Sequence, residues 1–527
     1  MTQLPTQSLD TGSGENVGGP ILGSDAGAKS SPASLNPPGL KRTLGLFALV
    51  TYGLILIQPT APMPLFGAAA LEGRGHVVSA LLVGMVGMLF TAISYGRMAN
   101  VYPSAGSAYA YVSREIHPAL GYFVGWSIIF DYVLNPIICV LWIGESAKHV
   151  IPEISSTVYI VLFVLLFTAM NLRGIEASSR TNTILAVGLG VVIVLFLGAA
   201  IRYLYLQPPQ SVAAWTRPFY DPQTFSFRTF SSGAALAVLT YIGFDGISTL
   251  SEEARNPRRN ILLATVLVCV LTGLLASIQV YAAQMVWPGT TFPDTDTAFC
   301  YVAGKAGAGQ AFHGVDLASK EAVHSAIAGG GGLWLFNAVN LALLVATIGA
   351  GAGAHFGAGR LLYSMGRDNA IPRKFFAAIN PRTRIPSNNI LLLGVLILLG
   401  ALVLNYVMGY LRAYALGCEM LNFGALIAFM GVNASAFIHY YVRAPHRTMA
   451  GFLFPLLGFA VCLYLWLSLG PKAKIAGFLW LGTGLVYGAW RTSFFRKTLQ
   501  FAPFNSEEET RQASEPLNAS ERTRKML

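Results

Sequence analysis

An all-helical bundle that crosses a membrane many times is the fold class this chain predicts, on three observations. First, the 527 residues are 54% hydrophobic and only 11% charged, against about 25% charged in soluble proteins. Second, the apolar residues gather into runs long enough to cross a bilayer, about 20 residues each. Third, two of these runs break in the middle at corresponding places. The breaks are Gln58-Pro59-Thr60-Ala61-Pro62-Met63-Pro64 and Tyr241-Ile242-Gly243-Phe244-Asp245. Broken backbone survives at membrane depth only where protein or a watery cavity surrounds it. A pair of interrupted spans, one in each half, marks a transporter's substrate site.

Apolar runs bounded by charged or Pro/Gly loops place the spans. They are 44–70 (broken), 77–98, 119–144, 156–172, 181–201, 230–251 (broken), 261–286, 333–358, 388–406, 413–440, 451–469 and 474–491. Spans one to five and six to ten each begin with a broken helix and run in opposite senses, an inverted repeat. Residues 41–440 are therefore the repeat core, and 441–495 carry two extra spans. The first 40 residues are rich in Pro, Gly, Ser, Asn and Thr and read as a disordered tail. They lack the basic start and apolar run of a signal peptide. Residues 496–527 read as a second polar tail, and the Gly/Ala-rich loop 287–332 either holds a short helix or caps one face.

Basic loop residues alternate in side. Lys41 and Arg42, Arg97 and Arg114, Arg173 and Arg180, and Arg255, Arg258 and Arg259 share one face. The positive-inside rule puts that face and both termini in the cytoplasm, across a cell membrane. The net charge of +11 is spread over many short loops rather than one patch, which argues against a nucleic-acid partner. The five cysteines lie far apart with no CxxC, so no disulfide framework, metal or cofactor is expected. No HExxH or GxSxG motif supports an enzyme.

The run Phe90-Thr91-Ala92-Ile93-Ser94-Tyr95-Gly96-Arg97 is followed by Tyr102-Pro103-Ser104-Ala105-Gly106-Ser107-Ala108-Tyr109 and Gly121-Tyr122-Phe123-Val124-Gly125-Trp126. Further on come Gly243-Phe244-Asp245-Gly246-Ile247-Ser248-Thr249-Leu250-Ser251-Glu252-Glu253 and Arg360-Leu361-Leu362-Tyr363-Ser364-Met365-Gly366-Arg367-Asp368. In this order the motifs resemble the amino acid–polyamine–organocation permeases, over roughly residues 41–495, with the putrescine-importer branch most similar. The resemblance implies a LeuT-type fold with substrate at mid-membrane between spans 1, 3, 6, 8 and 10. It also implies alternating access and a cargo of amino acids or small amines, often driven by protons or exchange. One departure stands out. Most such permeases place a glycine-rich stretch in span 1, where this chain has Pro59, Pro62 and Pro64. The putrescine-importer branch has an aspartate that aligns with Pro64.

Candidate substrate-binding residues follow. The first break offers Gln58, Pro59, Thr60, Ala61 and Pro62, and the second offers Tyr241, Gly243, Phe244 and Asp245. Unwound backbone exposes groups that a helix would satisfy, and helix ends there favour a carboxylate or an ammonium. Tyr241 and Phe244 either stack on an amine or pack in the core. Asn135 and Cys139 in span 3, Asn337 in span 8 and Asn422 in span 10 either line the site or bond between helices. Intramembrane ionisable groups are functional candidates. Asp245 and His355 are the candidate proton carriers, and Asp131 suits a gate or proton path. Glu252 and Arg258 read as gate partners or interfacial charges. His355 sits in the small-residue run Gly349–Gly357, which close helix packing also explains. The reading is a secondary active transporter for an amino acid or small organic amine, a proton symporter. An exchanger or polyamine importer is the alternative, and the oligomeric state is open.

Overall fold

The computed structural model describes residues 44–491, apart from 104–105, 150, 174–178, 252, 310–311, 313, 382, 384 and 409. The two predicted tails and Glu252 lie outside the described residues. The described chain is built of helices. In order they are α1 (Leu46–Ile57), α2 (Pro62–Glu72), α3 (Val77–Val101), α4 (Ser107–Glu115), α5 (Pro118–Ser146) and α6 (Ser156–Leu172). Next come α7 (Ser179–Leu206), α8 (Val212–Thr216), α9 (Phe227–Ala237), α10 (Pro257–Val286), α11 (Ala298–Ala308) and α12 (Lys320–Gly329). The last are α13 (Leu333–Arg367), α14 (Arg373–Phe376), α15 (Ser387–Met408), α16 (Tyr410–Phe437), α17 (Met449–Leu467) and α18 (Pro471–Arg491). Nine described helical segments are long and apolar enough to cross a membrane, and the bent pair α1–α2 makes a tenth. At the other two predicted positions stand α6, apolar but 17 residues long, and α18, outside that count. The loop 287–332 holds two helices, α11 and α12, where one at most was expected.

The first break has a chemical cause. Helix α1 stops at Gln58, whose φ is 70°, a left-handed value uncommon outside glycine. Pro59 follows and has no N–H to extend the helix. Pro62 then occupies the first position of α2, where its fixed φ is already helical. The two halves meet at 47°. A buried polar group needs a partner, and Gln279 of α10 supplies one by donating Nε2–H to the Pro59 carbonyl at 3.0 Å.

The second break is tighter. Helix α9 passes into short 3₁₀ stretches at Val238–Tyr241 and Phe244–Leu250, separated by extended Ile242 and by Gly243. Gly243 has φ 126°, which only glycine adopts without strain. The two breaks touch. A Cβ on Gly243 would lie 3.0 Å from Ile57 Cγ1, and one on Gly246 would strike Leu56 Cδ2 at 2.2 Å.

Small residues seam the bundle. Cβ atoms at Gly351, Gly353 and Gly357 of α13 would meet Phe167, Leu56 and Tyr132 at 2.5, 3.2 and 3.0 Å. The packing explanation of that run is therefore sufficient. Gly424 of α16 rides on α5, where a Cβ would lie 2.7 Å from the Ser127 carbonyl.

Candidate functional site

A cavity of about 70 Å³ lies beside the first break, room for a few water molecules. The break lines it with Ile57, Gln58, Ala61, Pro64 and Leu65. Helix α5 adds Asn135, Ile138, Cys139 and Trp142, α13 adds Thr347 and Ala350, and α16 adds Tyr414. The second break gives only Leu239. Among the described lining residues none is charged.

The four positions that open α2 set which backbone groups it offers beside this cavity. Helices normally begin with free N–H groups, which attract anions. Here Pro62 and Pro64 have no N–H. The Ala61 N–H donates to the Gln58 carbonyl at 3.0 Å, and the Met63 N–H donates to the Thr60 carbonyl at 2.9 Å. Positions 61 to 64 at the start of α2 thus keep no free N–H. The carbonyl-bearing end of α1 remains, carrying the negative pole of its helix.

Of the predicted substrate residues, Gln58, Ala61, Asn135 and Cys139 line the cavity. Cys139 donates its S–H to Asn135 Oδ1 at 3.5 Å. The others lie elsewhere. Pro59, Thr60 and Pro62 shape the break without lining the cavity. Tyr241 is buried against α3 and donates its hydroxyl to the Leu81 carbonyl at 2.7 Å. Phe244 packs edge-on to Tyr95 at 5.6 Å and lies 5.2 Å from Phe429. Both rings are core, because a fully buried aromatic on a short-turn segment finds other helices first. Gly243 faces Ile57 rather than the cavity. Asn422 is buried and donates Nδ2–H to the Ala235 carbonyl at 2.7 Å, which satisfies α9 near its unwinding point. Asn337 is exposed on the outer face of α13, so it does not line the site.

The ionisable candidates also separate. Asp245 is buried. One carboxylate oxygen accepts the Gly243 N–H at 3.2 Å and the other accepts the Tyr132 hydroxyl at 3.2 Å. Asp131 is buried one residue before Tyr132, within electrostatic reach of Asp245. Neither lines the cavity. His355 is turned away, with Nε2–H donating to the Ile390 carbonyl of α15 at 2.9 Å. It joins two helices rather than facing the site. Arg258 is exposed, and Glu252, its expected partner, lies outside the described residues. An ion pair at that end joins Arg360 and Glu253 at 2.9 Å.

Both ends of the path are covered. Toward α4, the rings of Tyr95, Phe244 and Phe429 fill the space, and Ser107 bonds Ser248 at 2.7 Å. Beyond them Glu115 accepts from Tyr102, His439 and Arg443 at 2.9 to 3.0 Å. At the opposite end, Trp142 donates its indole N–H to the Asp296 carbonyl at 3.1 Å.

Sequence reasoning missed Trp142, Thr347 and Tyr414. Trp142 was within reach, since Asn135, Ile138, Cys139 and Trp142 follow the spacing of one helix face. Thr347 and Tyr414 carry no such signal.

The family described as Amino acid permease matches residues 65–480. This chain belongs to that family. The permease is 32% identical over 467 residues to the low-affinity putrescine importer PlaP of Escherichia coli (strain K12), covering 87% of this chain and 95% of the relative. It is 26% identical over 486 residues to the branched-chain amino acid permease BcaP of Lactococcus lactis subsp. cremoris (strain MG1363), covering 84% and 93%. A crystal structure of a manganese transporter mutant from Eremococcus coleocola superposes with TM-score 0.52 at 10% identity, covering 85% of this chain and 94% of that one. That likeness carries the LeuT-type fold alone. The permease is thus a multi-pass membrane transporter for amino acids or amines, not an enzyme.

Proposed function

We propose that this permease imports a small primary amine across the cell membrane by alternating access, in symport with protons. One observation carries the choice of cargo: the start of α2 offers no free N–H for a carboxylate. An ammonium instead meets the negative end of α1 and the aromatic side chains of Trp142 and Tyr414, which line the cavity. Similarity to a putrescine importer supports the same reading. The apolar walls of Ile57, Leu65, Ile138 and Leu239 suit a methylene chain. They also favour the second reading, a branched-chain amino acid.

The proton route runs through Asp131, Tyr132 and Asp245. Two buried acids within charge range, one of which accepts the Tyr132 hydroxyl, can hold and release a proton off the substrate path. The end bearing α4 faces the cytoplasm, in line with its basic loops.

The test is uptake into proteoliposomes of labelled putrescine and of leucine, with and without an inward proton gradient. Gradient-driven accumulation of putrescine supports the reading. Accumulation of leucine alone moves the cargo to the second reading. Uptake only into vesicles preloaded with substrate makes the protein an exchanger.

A further inference from the structure

The cavity holds no acid, yet an amine needs a counter-charge to leave water. The loop before α11 supplies one. The Thr295 carbonyl packs so closely on Gly67 of α2 that a Cβ there would sit 2.0 Å away. The next residue, Asp296, accepts the Trp142 indole N–H on its carbonyl. Its charge reaches Cys418, one turn beyond the cavity residue Tyr414. Asp296 therefore lies beside α5 and α16, which give Trp142 and Tyr414 to the cavity, without itself lining it. It is 3% exposed, and its Oδ2 has no hydrogen-bond partner.

The neighbouring acids are already occupied. Asp294 accepts the Asp296 N–H at 3.1 Å and the Thr297 hydroxyl at 2.9 Å. Glu145 accepts from Lys148 at 2.9 Å and from Ser156 at 2.7 Å. Lys305 of α11 directs its ammonium to the rings of Trp287, Phe312 and Tyr203, at 5.1 to 5.8 Å. Burial pushes the Asp296 carboxyl well above the usual range, and the charges of Asp294 and Glu145 push the same way. An arriving cation reverses that pressure, because it stabilises the charged carboxylate.

We propose that Asp296 is a substrate-binding residue, the carboxylate that receives an ammonium group of the cargo at the loop-covered mouth of the cavity. This rests on the amine reading of the preceding section.

The experiment measures half-saturation and maximal rate of putrescine uptake in proteoliposomes, for wild type, Asp296→Asn and Asp296→Glu. Loss of a charge-assisted hydrogen bond raises half-saturation about tenfold or more in Asp296→Asn. The maximal rate stays within about threefold, and Asp296→Glu falls between. A merely structural loop residue would lower the maximal rate instead. Half-saturation in Asp296→Asn within about twofold of wild type overturns the proposal. A second readout uses wild type alone: carbodiimide modification of Asp296, followed by peptide mass spectrometry. Putrescine slows that modification if Asp296 binds it, and an unchanged rate overturns the proposal. A wild type that moves no putrescine breaks the amine reading and this proposal together. A wild type that moves putrescine, with Asp296→Asn unaltered, breaks only the proposal.

Discussion

The two broken helices look equivalent in sequence and do different work in the fold. The first gives five residues to the cavity, from Ile57 to Leu65, and the second gives only Leu239. The first breaks by proline, which deletes N–H groups at the start of α2. The second breaks at Gly243 and satisfies itself, with Asp245 accepting the Gly243 N–H and the Tyr132 hydroxyl. A symmetric pattern of breaks therefore yields one break that lines the cavity and one that ties α1, α3 and α5 together. Asp245, Ser248 and Thr249 of the second are already partnered, so they suit a proton or a hinge better than a substrate.

Four substitutions break or sharpen this contrast. The largest effect is expected for Asp245→Asn. It keeps the shape and removes the acid, so gradient-driven accumulation falls more than about tenfold while preloaded exchange persists. Equal loss of both activities would make Asp245 a structural acid. Gly243→Ala comes next. It forces a side chain to φ 126° and sets a Cβ 3.0 Å from Ile57, a strain of about 1–3 kcal/mol. A lower melting temperature in detergent and slower uptake should both appear, and wild-type values for both would remove the strain argument.

Pro64→Ala acts on the first break. It returns one N–H to the start of α2, and favourable charge at a helix end is worth about 0.3–1 kcal/mol. Amino acids should then compete with putrescine about two- to fivefold better than in wild type. Unchanged competition would mean that backbone donors do not select the cargo. His355→Phe should be the mildest. It loses the bond to the Ile390 carbonyl, about 1 kcal/mol of stability. The pH profile of uptake should stay put, and a shifted profile would return His355 to the proton path.

Much of the fold was legible because apolar runs and prolines are local signals. The bent first span, Pro62 at the start of α2 and the break at Gly243 all follow from backbone chemistry at those residues. Asn135 and Cys139 were legible as polar groups one turn apart on a helix already assigned to the site. The direction of a side chain on a broken segment was not legible. Tyr241 and Phe244 flank the break in sequence, yet short 3₁₀ turns aim them at Leu81, Tyr95 and Phe429. His355 and Asn422 are polar inside the bundle, and each met a backbone carbonyl of a neighbouring helix first. Tyr414 reaches the cavity through the crossing of α16 over α5, a tertiary fact that no spacing encodes. Asp296 lies in a loop, where polarity alone draws no notice.

The central claim is that the cavity selects an ammonium and rejects a carboxylate. Equilibrium binding of putrescine and ornithine to the purified protein tests it directly, because the two differ by a single carboxylate. The account predicts tighter binding of putrescine, by about tenfold or more. Ornithine binding as tightly as putrescine, or more tightly, would contradict it.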